Sequence, residues 1–369
     1  MNLNLISYLS FLIAFQLLFV GIFLLTHKKG NRRNNKLLGT LFVLISWNIG
    51  DLTLRMNNVV LRWEFLQVID DGFFLVYGPI IYLYTKGVIF KDFKLSVRDL
   101  LHLIPFFLFT ALVLMSGEVR PLTSEEYLGD NLTWHFYLGS GLLYIHFFIY
   151  LRLSYRQVKD YRSVIKNKYS QIDQINLDWL TFSLNTFGLL TMVSLIHNFV
   201  ALAQEPSVFL VTLVLLLFFI FYFVNKVVLK ALRQPEIFAG IDQSDVVKYQ
   251  GSTLNQDQVE EHKEKLLNLI DTEKLYLNPQ ISLADLSERM SLSSKHLSQV
   301  INQSFDKSFF DFINSYRVRE VQRILKESSD EKLTVLEAMY EAGFNSKSSF
   351  NTAFKKETGQ TPTEFRKSL

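Results

Sequence analysis

Acidic and imidazole side chains set inside apolar stretches are the groups in this 369-residue sequence whose placement most directly implies chemistry. Asp51, Asp70 and Asp71 stand at the ends of runs that otherwise lack Asp, Glu, Lys and Arg, with Asn48, His135, His197 and Asn198 on neighbouring runs. An ionisable group is costly in lipid, so it either faces a bundle interior and marks a site or stays wet at the interface. Both readings stand. These seven residues could line an outward-opening pocket for a small ligand. Alternatively, Asp51 pairs with Arg55 one turn on and the others cap helix ends at a bilayer surface. His102 and His146, each alone among apolar neighbours, read as packing or helix–helix hydrogen-bonding groups. No catalytic constellation is visible. The chain has no Cys, which excludes disulfides, thiolate metal sites and a cysteine nucleophile. It has no HExxH, and the Gly-Ser-Gly at Gly139 to Gly141 lacks the flanks of a nucleophile elbow. No metal, no cofactor and no enzymatic activity are expected.

The elements that must position those groups follow from the charge pattern. Uncharged runs cover Met1 to Thr26, Leu37 to Gly50, Gly72 to Thr85, Leu100 to Gly117, Asn131 to Leu151, Trp179 to Gln204 and Pro206 to Asn225. A membrane-spanning helix needs about 20 mostly apolar residues, so seven spans are expected over residues 1–233. The second and third runs hold only 14 residues each, and must extend through Asp51 and back through Asp71 and Asp70 to cross. Alternate loops carry 18 Lys and Arg against three (Arg55, Arg62 and Arg120) on the other side. The positive-inside rule then puts the N-terminus outside and the C-terminus in the cytoplasm. The first run has no basic residues before it, which suits a retained anchor better than a cleaved signal.

The composition, 49% apolar and 20% charged with a net charge of +3, is an average over unlike parts. Residues 1–233 hold 21 basic and 14 acidic groups, whereas 234–369 hold 17 and 21. Residues 234–273 alone carry nine acidic groups against three basic ones. Residues 234–261 therefore read as an acidic linker, either a solvated lever that repels phosphate or a plain solubilising segment.

Residues 262–369 read as an all-helical domain. Ser282 caps an amphipathic helix through Met290, and a turn around Ser291 to Ser293 leads into a second helix from Lys295 to Asn302. The same anatomy recurs when the helix Val335 to Ala342 stops at Gly343, Phe344 anchors a turn, and Ser346 caps a helix through Lys355. Two helix-turn-helix units, at about 281–303 and 333–358, are thus expected. Between them, Phe309, Phe312, Ile313, Tyr316, Val318, Val321 and Leu325 recur at helical spacing. A connecting helix of roughly 18 residues would span about 27 Å. The fold class is accordingly all-α, a seven-helix transmembrane bundle followed by a cytoplasmic helical domain.

The run from Gly343 through Phe344, Asn345, Ser346, Phe350 and Phe354 to Gly359, Thr361, Pro362 and Phe365 resembles the C-terminal signature of AraC/XylS-type transcription regulators. Leu283-Ala284-Asp285-Leu286 and His296-Leu297-Ser298 resemble the first helix-turn-helix of that family. The whole chain looks like a seven-span, membrane-bound variant. The resemblance implies double-stranded DNA as partner, with base-facing positions at Lys295, Ser298, Gln299, Lys347, Ser348, Asn351 and Thr352. It places Lys355, Lys356, Arg366 and Lys367 toward phosphates. Gln299 and Thr352 stand where the family often has Arg, and residues 274–369 hold only 14 basic against 12 acidic groups. Modest, salt-sensitive affinity is therefore expected of one copy, which a membrane homodimer would raise. The expectation is a transcription regulator in the bacterial cytoplasmic membrane that responds to an unknown small-molecule or membrane signal, with RNA polymerase as a further partner. A membrane enzyme or transporter with a helical protein-interaction module is the alternative.

Overall fold

The computed structural model describes residues 3–28, 31–57, 64–116, 134–173, 175–201, 206–232, 254–327 and 333–369. The chain divides into two compact units, one of Met1–Val158 with Asp178–Ile241 and one of Lys159–Leu177 with Asp242–Leu369. Among the described residues all regular structure is helical, and one isolated antiparallel bridge joins Tyr169 and Ser282.

The first unit contains α1 (Leu3–Thr26), α2 (Arg32–Met56), α3 (Glu64–Gly72), α4 (Phe74–Ile89), a 3-10 turn at Val97–Leu103, α5 (Ile104–Ser116), the start of α6 (Trp134–Lys168), α7 (Asp178–Ala201) and α8 (Pro206–Leu232). Helices α1 and α2 approach closely because glycines face each other. A Cβ on Gly39 would stand 2.8 Å from the Gly21 carbonyl, and one on Gly21 would stand 2.8 Å from Val43 Cγ2.

Five stretches among the described residues are long and apolar enough to cross a membrane: Leu5–Thr26, Arg32–Leu54, Val68–Ile89, Val97–Met115 and Asp178–Val200. A sixth apolar stretch, Leu210–Lys226, is shorter. The two runs that looked short are lengthened as their sequence required, since α2 continues through Asp51 and Val68–Ile89 takes in Asp70 and Asp71. Helix α6 has 35 residues, about 52 Å of helix, far beyond its uncharged run. It continues past Leu151 because Leu151, Val158, Tyr161 and Ile165 are buried at helical spacing, while Arg152, Lys159 and Lys166 fall off that face.

The second unit holds the end of α6 and then α9 (Gln256–Glu273), a 3-10 turn at Leu275–Leu277, α10 (Leu283–Arg289), α11 (Ser294–Phe305), α12 (Phe309–Glu327), α13 (Val335–Glu341), α14 (Lys347–Thr358) and α15 (Pro362–Lys367). Two apolar cores share one rod. Phe309, Phe312, Ile313 and Tyr316 of α12 pack with Leu266, Ile270, Leu286, Leu297 and Ile301. Val318, Val321 and Leu325 of the same helix pack with Met339, Phe344, Phe350 and Phe354. The 19 residues of α12 give about 28 Å of helix, so a single continuous element fixes the separation of the two modules.

The expected boundary between linker and domain at residue 262 falls inside α9. Asn255 caps this helix by accepting from the Gln258 backbone N–H, and Val259, Leu266 and Ile270 are buried. The helix is therefore part of the domain's core, because its apolar stripe begins at Val259, inside the acidic run that had looked like solvated linker. Residues 234–253, the first part of the expected linker, lie outside the described residues.

Candidate nucleic-acid interface

In the second helix-turn-helix, Thr334 caps α13 by accepting from the Glu337 N–H, while the Glu337 carboxylate accepts from the Thr334 backbone. Those hydrogen bonds hold the Glu337 carboxyl below its usual range. The turn needs glycine. Gly343 has φ +86°, and a Cβ there would lie 2.6 Å from the Leu277 carbonyl and 2.7 Å from that of Tyr276. Phe344 plugs the turn into the core, and Ser346 caps α14 by accepting from the Ser349 N–H. Phe350, Ala353 and Phe354 face inward. Lys347, Ser348, Asn351, Thr352 and Lys355 are exposed along the opposite face. Sequence reasoning therefore places all four of its base-facing residues of this unit on one solvent-facing stripe.

The first unit differs. Ser282 and Asp285 form a capping box on α10, Ser291 turns with φ 53°, and Ser293 caps α11. Leu297, Val300 and Ile301 enter the core and Lys295 is half-exposed. Ser298 and Gln299, expected on the base-facing side, are only 4% and 8% exposed. The Gln299 amide donates to the Leu254 carbonyl at 3.2 Å and accepts from its N–H at 3.3 Å, and Asn302 Nδ2 donates to the Ser298 hydroxyl at 3.2 Å. This corrects the expectation for both residues. The chain entering α9 lies against α11 and takes up the Gln299 amide, while Ser298 is bonded within α11 by Asn302.

The cations also divide. Lys355 and Lys367 are exposed. Lys356 is paired with Asp311 at 2.8 Å, and Arg366 donates to the Leu325 carbonyl at 3.2 Å near the end of α12. Burial alone would raise the Asp311 carboxyl, but the hydrogen bonds from Lys356 and Ser308 outweigh it and bring it below the ordinary range. Arg366 thereby also serves a helix end, a role that its expected place on phosphate did not include.

Residues 286–368 match a family described as a helix-turn-helix domain. This is a helix-turn-helix domain of the AraC type. An uncharacterised HTH-type transcriptional regulator of Staphylococcus aureus strain COL is 28% identical over 121 residues, which cover 33% of this chain and 16% of that protein. The Msm operon regulatory protein of Streptococcus mutans serotype c is 28% identical over 85 residues, 23% of this chain and 30% of its own length. The chain thus spans about a sixth of the staphylococcal relative it matches. Among solved structures, the C-terminal domain of AraT, a response regulator from Geobacillus stearothermophilus, is 24% identical, with 32% of this chain and 89% of that chain covered and a TM-score of 0.25.

The AraC-type domain has a polar centre that the sequence reading missed. Arg317, in the middle of α12, is 2% exposed. Its guanidinium donates to the carbonyls of Tyr276 at 2.7 Å and Asn278 at 2.8 Å, and to Asn314 Oδ1 at 3.1 Å. Ser170 accepts from it at 3.4 Å through its carbonyl and at 3.3 Å through its hydroxyl. Burial lowers the Arg317 pKa to about 10, still charged at neutral pH. The available signal was its place on the apolar stripe, one turn from both Ile313 and Val321.

The expected ligand-pocket residues form separate groups. Asn48 donates to the Asp70 carboxylate at 2.5 Å and accepts from the Tyr77 hydroxyl at 2.6 Å. His197 meets Thr212 at 2.7 Å, and Asn198 donates to Tyr144, whose hydroxyl also meets Ser194 at 2.9 Å. Asn48, Tyr77, Thr191 and Ser194 contribute the polar lining of an otherwise apolar cavity of about 200 Å³. Asp51 is buried beside a different, lined-by-apolar space with Trp47 and Leu54. Asp71 is exposed, and the side chains of His135 and Arg55 lie outside the described residues. No group of three or more His, Asp or Glu that could hold a metal occurs among the described residues.

Proposed function

We propose that this chain is a membrane-bound, one-component transcription regulator whose AraC-type domain reads two successive major grooves. The observation that carries the reading is the pairing of two helix-turn-helix units on the single rod α12, with Lys347, Ser348, Asn351 and Thr352 exposed together on α14. Successive major-groove faces lie about 34 Å apart, and a rod of about 28 Å with a helix at each end matches that repeat. Lys suits guanine, Asn suits adenine, and Ser or Thr meets polar edges or a thymine methyl. Lys295 is the base-facing candidate of the first unit. Lys355 and Lys367 supply phosphate contacts that set register, with Lys356 available once released from Asp311.

Seven uncharged runs in the sequence, five of them coinciding with stretches long and apolar enough to cross a membrane, and the excess of basic residues in alternate loops support the reading of seven spans with the N-terminus outside, in a bacterial cytoplasmic membrane. Asn48, Asp70 and the cavity beside Tyr77 form the candidate sensing site, and Asp51, Asp71, His135, His197 and Asn198 remain candidates from the sequence pattern. A signal with different affinity for two bundle arrangements would shift their populations. Homodimerisation in the membrane would raise effective concentration on DNA, and contact with RNA polymerase would convert occupancy into output.

A gel-shift salt series with the full chain in detergent tests the reading. Lys347→Ala should weaken binding and relax base preference at one position, while Lys355→Ala should lower the salt slope by about 0.9 with sequence preference kept. Equal, sequence-independent binding by wild type and both variants refutes it. For the sensing site, Asp70→Asn should change reporter output with DNA affinity unaltered.

A further inference from the structure

The second unit includes a piece of chain from far upstream, Lys159–Leu177, which comprises the last turns of α6 and the segment after it. Residues 169–173 are laid along the AraC-type domain by contacts that jump more than a hundred positions in sequence. Tyr169 forms an antiparallel bridge with Ser282, the cap of α10. Ser170, 2% exposed, donates from its hydroxyl to the Ile281 carbonyl at 2.6 Å and accepts from the buried Arg317. The next residues reach the second helix-turn-helix. Gln171 Oε1 accepts from Asn345 Nδ2 at 2.6 Å, inside the turn, and the Asp173 carboxylate accepts from the Ser349 hydroxyl in the first turn of α14.

The chemistry of that last contact is the chemistry of a DNA backbone. A hydroxyl in the first turn of a recognition helix, beside its free N–H groups, is a receptor for a phosphate oxygen. Here a carboxylate holds it. Ser349 flanks the exposed stripe of Lys347, Ser348 and Asn351, so a duplex seated on that stripe would bring phosphates toward Asp173, and like charges at such range repel. The anchor is firm, because Ser170 is buried on Arg317, whereas the two contacts on the reading unit are half-exposed and exchangeable.

We propose that residues 169–173 and DNA compete for one docking surface on the second helix-turn-helix, with Asp173 standing in for a phosphate. The inference rests on the DNA-binding reading above. It adds a route of control: the competitor is covalently continuous with α6 through the Ser170 anchor, so a displacement of that helix large enough to draw Ser170 off Arg317 withdraws Gln171 and Asp173 from Asn345 and Ser349. The domain is then controlled through the segment after α6, independently of the acidic segment that precedes α9.

Because the natural chain has no Cys, a disulfide trap is specific. Two double variants of the full chain in lipid nanodiscs, Asp173→Cys with Ser349→Cys and Gln171→Cys with Asn345→Cys, are oxidised with copper phenanthroline. The DNA probe is a randomised duplex pool about 40 base pairs long, enough for two successive groove contacts, enriched on the Asp173→Asn chain. At least one pair should cross-link without DNA and more slowly with it. The oxidised form should lose probe binding, and dithiothreitol should restore it. Asp173→Asn should bind the probe about three- to tenfold more tightly than wild type, as expected for loss of one exposed charge-assisted contact. Oxidised protein that binds as well as reduced protein, cross-linking unaffected by saturating probe, or no cross-link in either pair of a folded chain overturns the competition. If neither Asp173→Asn nor wild type retains any duplex above the random pool, the regulator reading itself falls and takes this inference with it.

Discussion

Replacing Arg317 should unseat the AraC-type domain more than any surface change. The guanidinium is almost wholly buried and serves the Tyr276 and Asn278 carbonyls at 2.7 and 2.8 Å, together with Asn314 and Ser170. In Arg317→Met the methylene packing is largely kept, but two backbone carbonyls lose their shared donor, at about 1–3 kcal/mol each. Removing the desolvation cost of the charge returns part of this, so the net loss should be about 3 kcal/mol, near the lower end for breaking a buried charged network. That is a large fraction of the roughly 5–15 kcal/mol that holds a domain folded. Arg317→Lys should fall between, because one ammonium cannot serve two diverging carbonyls as a planar fork does. Urea unfolding of the full chain, followed by hydrogen exchange at the amides of α10 to α14, should show the midpoint drop by about 1–2 M for Met. A loss below about 1 kcal/mol for Met, or a Lys variant as stable as wild type, would refute the idea that Arg317 is the polar centre of the fold.

Further outcomes follow from the same geometry. Gly343→Ala combines a left-handed φ with a Cβ 2.6 Å from a carbonyl, and should cost about 1–3 kcal/mol in the same unfolding assay. The second module should loosen first. Folded-state pKa values of Asp311 and Glu320 are lowered, so their stabilisation is present above the unfolded value of about 4 and is lost as pH falls through the folded values. An acid titration should therefore show flat stability near neutrality and a decline below about pH 4, shallower in Asp311→Asn. Gln299→Ala, if that residue serves as a clasp on Leu254 and not as a base reader, should leave base preference unchanged while raising exchange at the start of α9.

Local rules carried most of the domain into view from sequence. The caps Ser282 and Ser346, the stop at Gly343 and the stripe Phe344, Phe350, Phe354 are short-range signals, and the helices form where these put them. The helical rod between the units was legible because Phe309 to Leu325 keep one period throughout. What was not legible depends on contacts distant in sequence. Gln299 turns inward because Leu254, 45 positions away, offers both backbone groups. Arg317 is buried because Ser170, 147 positions away, helps satisfy it. Neither partner can be inferred from spacing on one helix. Near the bundle's polar residues, sequence singled out Asn48 and Asp70 but not Tyr77, which completes their hydrogen bonding and looked like one more aromatic.

The most direct test of the central claim is a hydroxyl-radical footprint of the AraC-type domain, presented by the full chain, on its enriched duplex. Two units on one rigid α12 predict two protected patches on the same face of the duplex, about one helical turn or 10 base pairs apart. Lys347→Ala should remove only the patch read by α14. A single patch, protection spread evenly along the duplex, or loss of both patches with that one substitution would contradict the account.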